Sequence, residues 1–203
     1  MSGESNQMYE IRLDGIDERR FKTNTKAYRN TFNFCLRKMI ESLNASSESL
    51  YKREREFSMF LRLDESLYNA IEINNYANLK SAMKYIPRSI IENAITDSIG
   101  FFNKWKRKRT EAEQTVELPS LLSKRLKPFF RIGSSVDVVT FSSKGLYLPK
   151  CGKRAHILDL SREEKITLTG TYKKAKVLYK NLTCSWYCQL DLKNKIETNN
   201  FVE

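Results

Sequence analysis

Apolar and polar residues alternate at two places in this chain, once near its start and again throughout its last third. Residues 8–13 alternate and end at Asp14-Gly15, which predicts a β-strand followed by a turn. After Pro128 the same two-residue period predicts several short strands separated by turn residues. These predicted strands are residues 136–141, 145–149, 165–169, 175–179 and 183–192. Such a series is typical of a small antiparallel β-barrel, and we expect the first strand to join it.

Residues between the first strand and Pro128 show the three- and four-residue steps of helices instead. Apolar stripes predict helices over 25–43 and 49–61, a short helix from Asp64, and a longer helix that begins after Pro87. The sequence therefore predicts an α+β fold in which an OB-like β-barrel is interrupted by an inserted helical bundle. The predicted domains are a barrel of residues 1–15 and 128–203 and a helical insertion of residues 16–127.

The composition agrees with a folded domain, because 40% of the 203 residues are hydrophobic and only 7 are Gly and 4 are Pro. No stretch approaches the roughly 20 consecutive apolar residues of a membrane span, and the first residues lack the basic and apolar regions of a signal peptide. We therefore expect neither membrane insertion nor secretion. The four cysteines lie among periodic segments, so we expect reduced thiols that are buried or inert. They are Cys35, Cys151, Cys184 and Cys188.

The whole chain has a formal net charge of +12, and its excess positive charge is concentrated in one segment. Residues 101–180 carry 19 basic and 7 acidic side chains, whereas the remaining residues carry 17 of each. An excess confined to one segment predicts a positive surface and a polyanionic partner. Nucleic acid is the leading candidate, and an anionic membrane surface is the alternative. The side chains that we expect to contact RNA are Lys104, Lys106, Arg107, Lys108, Arg109, Lys124, Arg125, Lys127, Arg131, Lys150, Lys153, Arg154, Lys173, Lys174 and Lys176.

The basic run at the end of the helix after Pro87 interleaves Trp105 with five cations. It offers phosphate contacts and a ring for stacking, although cations at a helix C-terminus also interact favourably with the helix dipole. Trp105 fits the apolar stripe as well, so we expect it in the core. Each basic cluster alone is typical of a solvated surface, but their accumulation without compensating acid indicates a binding surface.

Signatures of catalysis are scarce in this sequence. The single histidine, His156, has no second histidine at a metal-ligand spacing, and the chain has no phosphate-binding loop, nucleophile elbow or C-x-x-C motif. Cys184 and Cys188 lie four residues apart on a predicted strand, so we expect a buried pair on one face rather than half of a zinc site. We expect no enzymatic activity, no metal and no cofactor.

Four short segments carry a resemblance to a known family. They are FNF at residues 32–34, PRSIIENAI at 87–95, LYLPKCG at 146–152, and a closing hairpin with KVLY at 176–179 and Trp186-Tyr187. Their types and order resemble the N-terminal half of the TnpB transposon-encoded RNA-guided nucleases and of their relatives, the type V CRISPR effectors. That half has an aromatic-Asn-aromatic signature, a Pro-Ser-x-x-x-Gln-Gln-Ala-Leu helix and an I-x-L-P-K-x-G turn.

The resemblance implies a wedge-type barrel and a recognition helix bundle that hold a guide RNA and read a short DNA motif. It places four motif-reading side chains at the start of the helix after Pro87, on the side that we expect to be exposed. They are Arg88, Ser89, Glu92 and Asn93. Three of these four differ from the family pattern, so the DNA motif is left open. The apolar-Asp-apolar-Gly strand of the family's RuvC nuclease and its zinc-ribbon cysteines do not follow here, which implies a module without nuclease activity.

We therefore expect a TnpB-like, nuclease-lacking module that binds a structured guide RNA and, through it, target duplex DNA. Its effect would be occupancy of the DNA or recruitment of a separate nuclease subunit. Two alternatives stay open: an RNA-binding accessory or inhibitor protein with no guide function, and the front half of a split or truncated RNA-guided nuclease. The expected location is the cytoplasm, in association with the nucleoid.

Overall fold

Two antiparallel β-sheets and three α-helices are found in the computed structural model, which describes residues 7–44, 81, 83–111, 117–124, 127–157 and 159–196. The helices are α1 (Glu18–Asn44), α2 (Arg88–Glu111) and α3 (Arg162–Leu168). The predicted α+β fold class is thereby confirmed. The predicted helices over 49–61 and from Asp64 lie outside the described residues.

Nine strands form the two sheets of the described part. They are β1 (Met8–Asp14), β2 (Phe129–Ile132), β3 (Val139–Ser142), β4 (Gly145–Tyr147), β5 (His156–Ile157), β6 (Gly170–Tyr172), β7 (Ala175–Lys180), β8 (Ser185–Asp191) and β9 (Lys195–Ile196). The larger sheet has the order β2-β7-β8-β1-β5, and the smaller has the order β4-β3-β6-β9. Because β1 pairs with β8 from Met8 to Leu13, the N-terminal strand lies inside the larger sheet, as predicted.

The strands described here do not close into the single barrel that was predicted. β5 pairs with β1 over only two residues. One isolated bridge, between Leu146 of β4 and Ala155, connects the ends of the two sheets. The hydrogen-bond ladder is therefore interrupted between the sheets, and a closed barrel needs a continuous ladder.

Mutual contacts divide the described residues into two units. The sheet unit contains the described residues up to Thr25, residues Tyr85–Ile90, and those from Lys127 onward. The helical unit contains the remaining described residues, including most of α1 and α2. The predicted division into residues 1–15 with 128–203, and 16–127, stays a prediction.

The core of the sheet unit is built by alternate residues of its strands. One buried row crosses four strands, because Phe130 pairs with Val177, Val177 with Cys188, and Cys188 with Ile11. Phe21 of α1 packs edge-on against this row, with its ring centroid 5.6 Å from that of Phe130. Burial of each large apolar side chain contributes about 1.5–3 kcal/mol, so this row fixes which side of the sheet faces solvent.

The core of the helical unit is lined by the apolar stripes of α1 and α2. The predicted stripe after Pro87 is buried throughout, including Trp105, so that prediction is confirmed. The hydroxyl of Tyr28 on α1 donates to the carboxylate of Asp97 on α2 at 2.5 Å. None of the described helices is long and apolar enough to cross a membrane.

Helix α1 begins at Glu18, seven residues before the predicted start. The side chain of Asp17 accepts a hydrogen bond from the backbone N–H of Arg20 at 3.1 Å, as a residue that caps a helix N-terminus does. A cap of this kind satisfies a backbone donor that the apolar stripe does not reveal. The stripe alone therefore placed the helix start too late.

The predicted strand over 165–169 is wrong, because these residues belong to α3 or follow it. Ser161 and Glu164 form a capping box: the Ser161 hydroxyl accepts from the Glu164 N–H at 3.2 Å, and the Glu164 carboxylate accepts from the Ser161 N–H at 2.8 Å. These two bonds stabilise the first helical turn. Ile166 and Leu168 alternate with threonines in the pattern of a strand, but the capping hydrogen bonds at Ser161 stabilise a helix instead.

Strand β2 was not predicted from the sequence. Phe129 and Phe130 are adjacent apolar residues, so they obscure the alternation of this strand.

The expected buried pair of Cys184 and Cys188 is wrong. Cys184 is exposed and has a left-handed backbone (φ 47°) after the 3-10 turn Asn181–Thr183. β8 begins only at Ser185, so Cys184 lies outside the strand. All four cysteines are free thiols, and the other three are buried as expected.

Candidate nucleic-acid interface

The solvent side of the five-stranded sheet carries a row of polar side chains that crosses four strands. Arg131 of β2 pairs with Lys176 of β7, Lys176 with Gln189 of β8, and Gln189 with Glu10 of β1. A neighbouring row on the same side consists of Phe129, Leu178, Tyr187 and Arg12. Both rows alternate with the buried row, so they point away from the core. We call this side of the sheet the outer face.

A cleft of about 230 Å³ opens on the outer face and contains several of the predicted RNA-contacting side chains. We call it the basic cleft, and it is lined by Arg131, Lys174, Lys176, Gln189, Asp191 and Asn194, with Met8 and Ala175. The three cations come from β2, from β7 and from the residue just before β7. They can contact phosphate oxygens, while the amides can bond to sugars or base edges. The polar lining residues on β8 and beyond it were missed, because no charge run marks them.

The turn that carries Lys173 and Lys174 is held by backbone contacts. The N–H of Lys173 donates to the carbonyl oxygen of Asn194 at 2.9 Å. Gly133 lies against this turn with φ 101°, and a Cβ there would lie 2.7 Å from the Lys173 carbonyl oxygen, so glycine is required. Both lysines are exposed. Within the described ranges no salt bridge joins either lysine to a carboxylate.

Glu10 is the carboxylate at the far end of the polar row. It forms an ion pair with Lys180, and it accepts a hydrogen bond from Gln189 Nε2 at 3.0 Å. Partial burial opposes ionisation, but these hydrogen bonds and the charges of Lys180 and Lys176 outweigh it and lower the pKa of Glu10. Glu10 is therefore ionised at neutral pH. It offsets part of the positive charge of Lys180 and Lys176.

A second group of predicted cations lies on the loop that follows β4. Arg154 donates from Nη1 to the hydroxyl of Ser142 at 3.0 Å, which ties the loop to the end of β3. The carbonyl oxygen of Lys150 accepts from Arg20 Nη1 at 3.1 Å. The side chains of Lys150, Lys153 and Arg154 are all exposed. This loop is thus anchored through its backbone and one guanidinium while its lysines face solvent.

His156 lies opposite Asp14 in the β1–β5 pairing. Both residues line a cleft of about 330 Å³, together with Lys144 and Lys165. In the part of the chain that the structure describes, no group of three or more His, Cys, Asp or Glu residues is placed to hold a metal ion.

The basic run of α2 belongs to the helical unit. Lys104, Arg107, Lys108 and Arg109 are exposed and Lys106 is half-buried. Trp105 is buried, and its indole N–H donates to the carbonyl oxygen of Glu117 at 2.7 Å. The guanidinium of Arg109 lies 5.5 Å from the Trp105 ring centroid. Trp105 is therefore a core residue, as expected.

The remaining predicted RNA-contacting residues are Lys124, Arg125 and Lys127, where the chain passes from the helical unit to the sheet unit. Lys124 is exposed in the helical unit, and Lys127 is exposed in the sheet unit. Arg125 lies outside the described residues.

The expected exposure of the motif-reading side chains is wrong for two of the four. Ser89 has 0% and Asn93 has 7% of its surface exposed, whereas Arg88 is exposed and Glu92 is half-buried. The Ser89 hydroxyl accepts from the N–H of Gly133 at 3.3 Å. The first turns of α2 are thus buried around more of their circumference than the apolar stripe indicates. A buried side chain cannot reach a base edge without rearrangement of its surroundings.

Asp137 explains part of this burial. Its carboxylate accepts from the backbone N–H of Ser89 at 3.2 Å, so it satisfies a donor at the N-terminus of α2. Asp137 was missed because it lies far from α2 in the sequence. A role of Arg88 and Glu92 in reading DNA stays a prediction.

No protein-family model matches this chain, and no curated protein matches it. The resemblance to TnpB therefore rests on the four sequence segments and stays a prediction.

Proposed function

We propose that the chain is an RNA-binding protein of the TnpB-like, nuclease-lacking kind, which holds a structured guide RNA on its sheet unit. The observation that carries this proposal is the basic cleft, where Arg131, Lys174 and Lys176 converge beside the exposed Lys173. Three cations that converge on one cleft favour a ligand with closely spaced phosphates. RNA meets that requirement.

The distribution of the remaining cations supports a ligand larger than one nucleotide. The loop after β4 presents Lys150, Lys153 and Arg154, and the end of α2 presents a further basic run. A folded RNA is bound chiefly through its backbone and shape, which many dispersed phosphate contacts provide. In the proposed mechanism the protein holds the RNA scaffold, and base pairing of the guide supplies the DNA sequence specificity.

The proposed consequence of binding is occupancy of target DNA, or recruitment of a separate nuclease subunit. Because this function acts on DNA, the proposed location of the protein is the cytoplasm, in association with the nucleoid. Arg88 and Glu92 are the two motif-reading candidates that are not buried, and they are where contact with duplex DNA is proposed.

A second candidate function is favoured by one observation. Two of the four side chains expected to read DNA, Ser89 and Asn93, are buried. An RNA-binding accessory protein needs no DNA contact, so this burial favours such a protein over a guided DNA binder. In that case the protein would occupy an RNA without using it as a guide.

Sequencing of the RNA that copurifies with the protein tests both candidates. A single structured RNA species, and binding of a duplex complementary to its free end, are expected for the guide-holding module. A single RNA species without any duplex binding would favour the accessory protein. If the protein elutes free of RNA and binds no RNA when it is added back, the proposed function is wrong.

A further inference from the structure

The cleft of about 330 Å³ beside His156 lies where the ends of the two sheets meet. We call it the junction cleft. Its walls come from the end of β1, from the β3–β4 hairpin, from β5 and from α3, all of which belong to the sheet unit. The junction cleft has no lining residue in common with the basic cleft, so the two are separate cavities.

Backbone contacts hold the walls of the junction cleft in place. Leu146 and Ala155 exchange two backbone hydrogen bonds, at 3.1 Å and 2.9 Å, which fix the β3–β4 hairpin beside β5. Gly145 begins β4 with φ 108°, and a Cβ there would clash with the Ala155 carbonyl oxygen, so this approach requires glycine. On the other side, Asp14 pairs with His156 in the β1–β5 ladder. The fold itself therefore shapes the cleft.

Two lysines bring positive charge to the junction cleft from different elements. Lys144 lies in the turn between β3 and β4, and Lys165 lies on α3. Both are exposed, and within the described ranges neither forms a salt bridge with a carboxylate. Arg154 adds a cation beside the cleft, because its guanidinium donates to the hydroxyl of Ser142, a lining residue. Asp14 is the one carboxylate among the described lining residues, so positive charge predominates.

The charge and size of the junction cleft favour the terminal phosphate of a single nucleotide. A phosphomonoester carries a charge of about −1.5 to −2 at neutral pH, whereas a phosphate inside an RNA strand carries one negative charge. Two lysines therefore suit a terminal phosphate better than a backbone phosphate. The carboxylate of Asp14 can accept hydrogen bonds from sugar hydroxyls. Because sites for small molecules measure about 300–1,000 Å³, this cleft accommodates one nucleotide and excludes a duplex.

We propose that the junction cleft binds the terminal phosphate of a nucleotide, which Lys144 and Lys165 hold beside the imidazole of His156. The ligand is a free mononucleotide or the phosphorylated end of an RNA, since both present the same group. This inference goes beyond the proposed function, because it concerns residues that the basic cleft does not contain.

Calorimetric titration with 5′-AMP, and with adenosine as the analogue without phosphate, is the direct test. We expect 5′-AMP to bind at least about tenfold more tightly than adenosine, because a hydrogen bond to a charged group contributes about tenfold or more. Lys144→Ala with Lys165→Ala should weaken 5′-AMP binding at least about tenfold. The matched control is Lys22→Ala with Lys193→Ala, which removes two exposed lysines of the same unit outside the cleft. It should bind 5′-AMP like the unmodified protein, and equal affinity of both variants would overturn the proposal.

Nuclear magnetic resonance of His156 gives a result that does not depend on the variants. The chain contains one histidine, so the imidazole Cε1–H signal is unique. We expect 5′-AMP to shift this signal with the same saturation that calorimetry measures, and adenosine to shift it much less. Binding of 5′-AMP without any change in this signal would locate the nucleotide elsewhere and disprove the assignment to the junction cleft.

An RNA of about ten nucleotides, prepared with a 5′-phosphate or with a 5′-hydroxyl, distinguishes the two sources of the phosphate. Tighter binding of the phosphorylated RNA, lost on substitution of Lys144 and Lys165, identifies an RNA end as the ligand. If the phosphate makes no difference to RNA binding while 5′-AMP still binds at His156, the ligand is a free nucleotide. Both results support a site for a terminal phosphate.

A hairpin RNA with a 5′-hydroxyl separates failure of this inference from failure of the proposed function. If the protein binds the hairpin but neither 5′-AMP nor the RNA end, the junction cleft is not a phosphate site and RNA binding stands. If the protein binds 5′-AMP at His156 but binds no RNA, the proposed function fails and the nucleotide site stands.

Discussion

Asn33 on α1 holds the backbone of Leu122 with two hydrogen bonds. Its side-chain Nδ2 donates to the Leu122 carbonyl oxygen at 3.0 Å, and its Oδ1 accepts from the Leu122 N–H at 2.7 Å. This is the pairing that a neighbouring strand would offer, supplied here by one amide side chain. It fixes residues 117–124 within the helical unit and gives the asparagine of the FNF segment a structural role.

Substitution of this amide should destabilise the protein. Asn33→Ala leaves a part-buried donor and acceptor of Leu122 without partners, so we expect the free energy of unfolding to fall by about 1–3 kcal/mol. Urea denaturation followed by circular dichroism measures the change. Arg37→Ala, at an exposed position of the same helix, is the control and should alter stability by at most about 0.5 kcal/mol. Equal stability of the two variants would show that the hydrogen-bond pair contributes nothing.

Ser89 should act on stability and not on nucleic-acid binding. Ser89→Ala removes the buried hydroxyl that accepts from the Gly133 N–H, and loss of a typical hydrogen bond costs about 0.5–1.5 kcal/mol. We expect a lower unfolding free energy, with RNA affinity within about twofold of the original, because a buried side chain makes no direct contact with a base. Thermal unfolding and mobility-shift titration are the two measurements. Ser135→Ala, an exposed serine nearby, should change neither.

Loss of nucleic-acid binding by Ser89→Ala at unchanged stability would contradict this structural role. It would restore the expectation that this side chain reads DNA. Measurement of both the unfolding free energy and the nucleic-acid affinity of Ser89→Ala therefore distinguishes a structural role of Ser89 from a role in reading DNA.

The buried thiols should make stability depend on alkaline pH. Burial raises the pKa of Cys151 to about 12, whereas a thiol in an unfolded chain ionises near about pH 8.5. Above about pH 8.5 the unfolded chain loses the proton and the folded chain keeps it, so the contribution of this thiol is complete below that pH and is lost as pH rises towards 12. We expect stability to fall with pH in this range.

The variant Cys151→Ser isolates this contribution, because a serine hydroxyl does not ionise there and can still accept from Asn24. Its unfolding free energy should fall less steeply with pH, by up to about 1.4 kcal/mol per pH unit. Identical slopes for Cys151→Ser and the unmodified protein would refute the assignment.

Periodicity along the chain predicted the elements whose neighbours agree with their local pattern. Strand β1 alternates cleanly because one side packs on the core and the other faces solvent. Helix α2 was predicted from Pro87 and its apolar stripe, which is buried as expected. In both elements the buried residues are concentrated on one face, so the hydrophobic periodicity alone predicts the element.

Contacts between distant residues explain what the pattern did not reveal. Ser89 is buried by Gly133 and Asp137, which lie more than forty residues away, and no helical period identifies such partners. The cations of the basic cleft were predicted one by one from composition. Their convergence depends on the register of β2 with β7, which brings Arg131 opposite Lys176.

Charge reversal at the turn between β6 and β7 and at the start of β7 tests RNA binding by the sheet unit most directly. The variant replaces Lys173, Lys174 and Lys176 with glutamate. The control replaces Arg19, Lys26 and Arg37 of α1 with glutamate and so changes the net charge equally.

The measurement is the affinity for the copurified RNA, or for a hairpin RNA, as a function of salt concentration. Each phosphate contact contributes about −0.7 to −0.9 to the slope of log affinity against log salt, so the test variant should bind weakly and lose about two to three from that slope. The control variant should keep most of the affinity and the original slope. Equal loss in both variants, or full affinity and an unchanged slope in the test variant, would contradict RNA binding at the basic cleft.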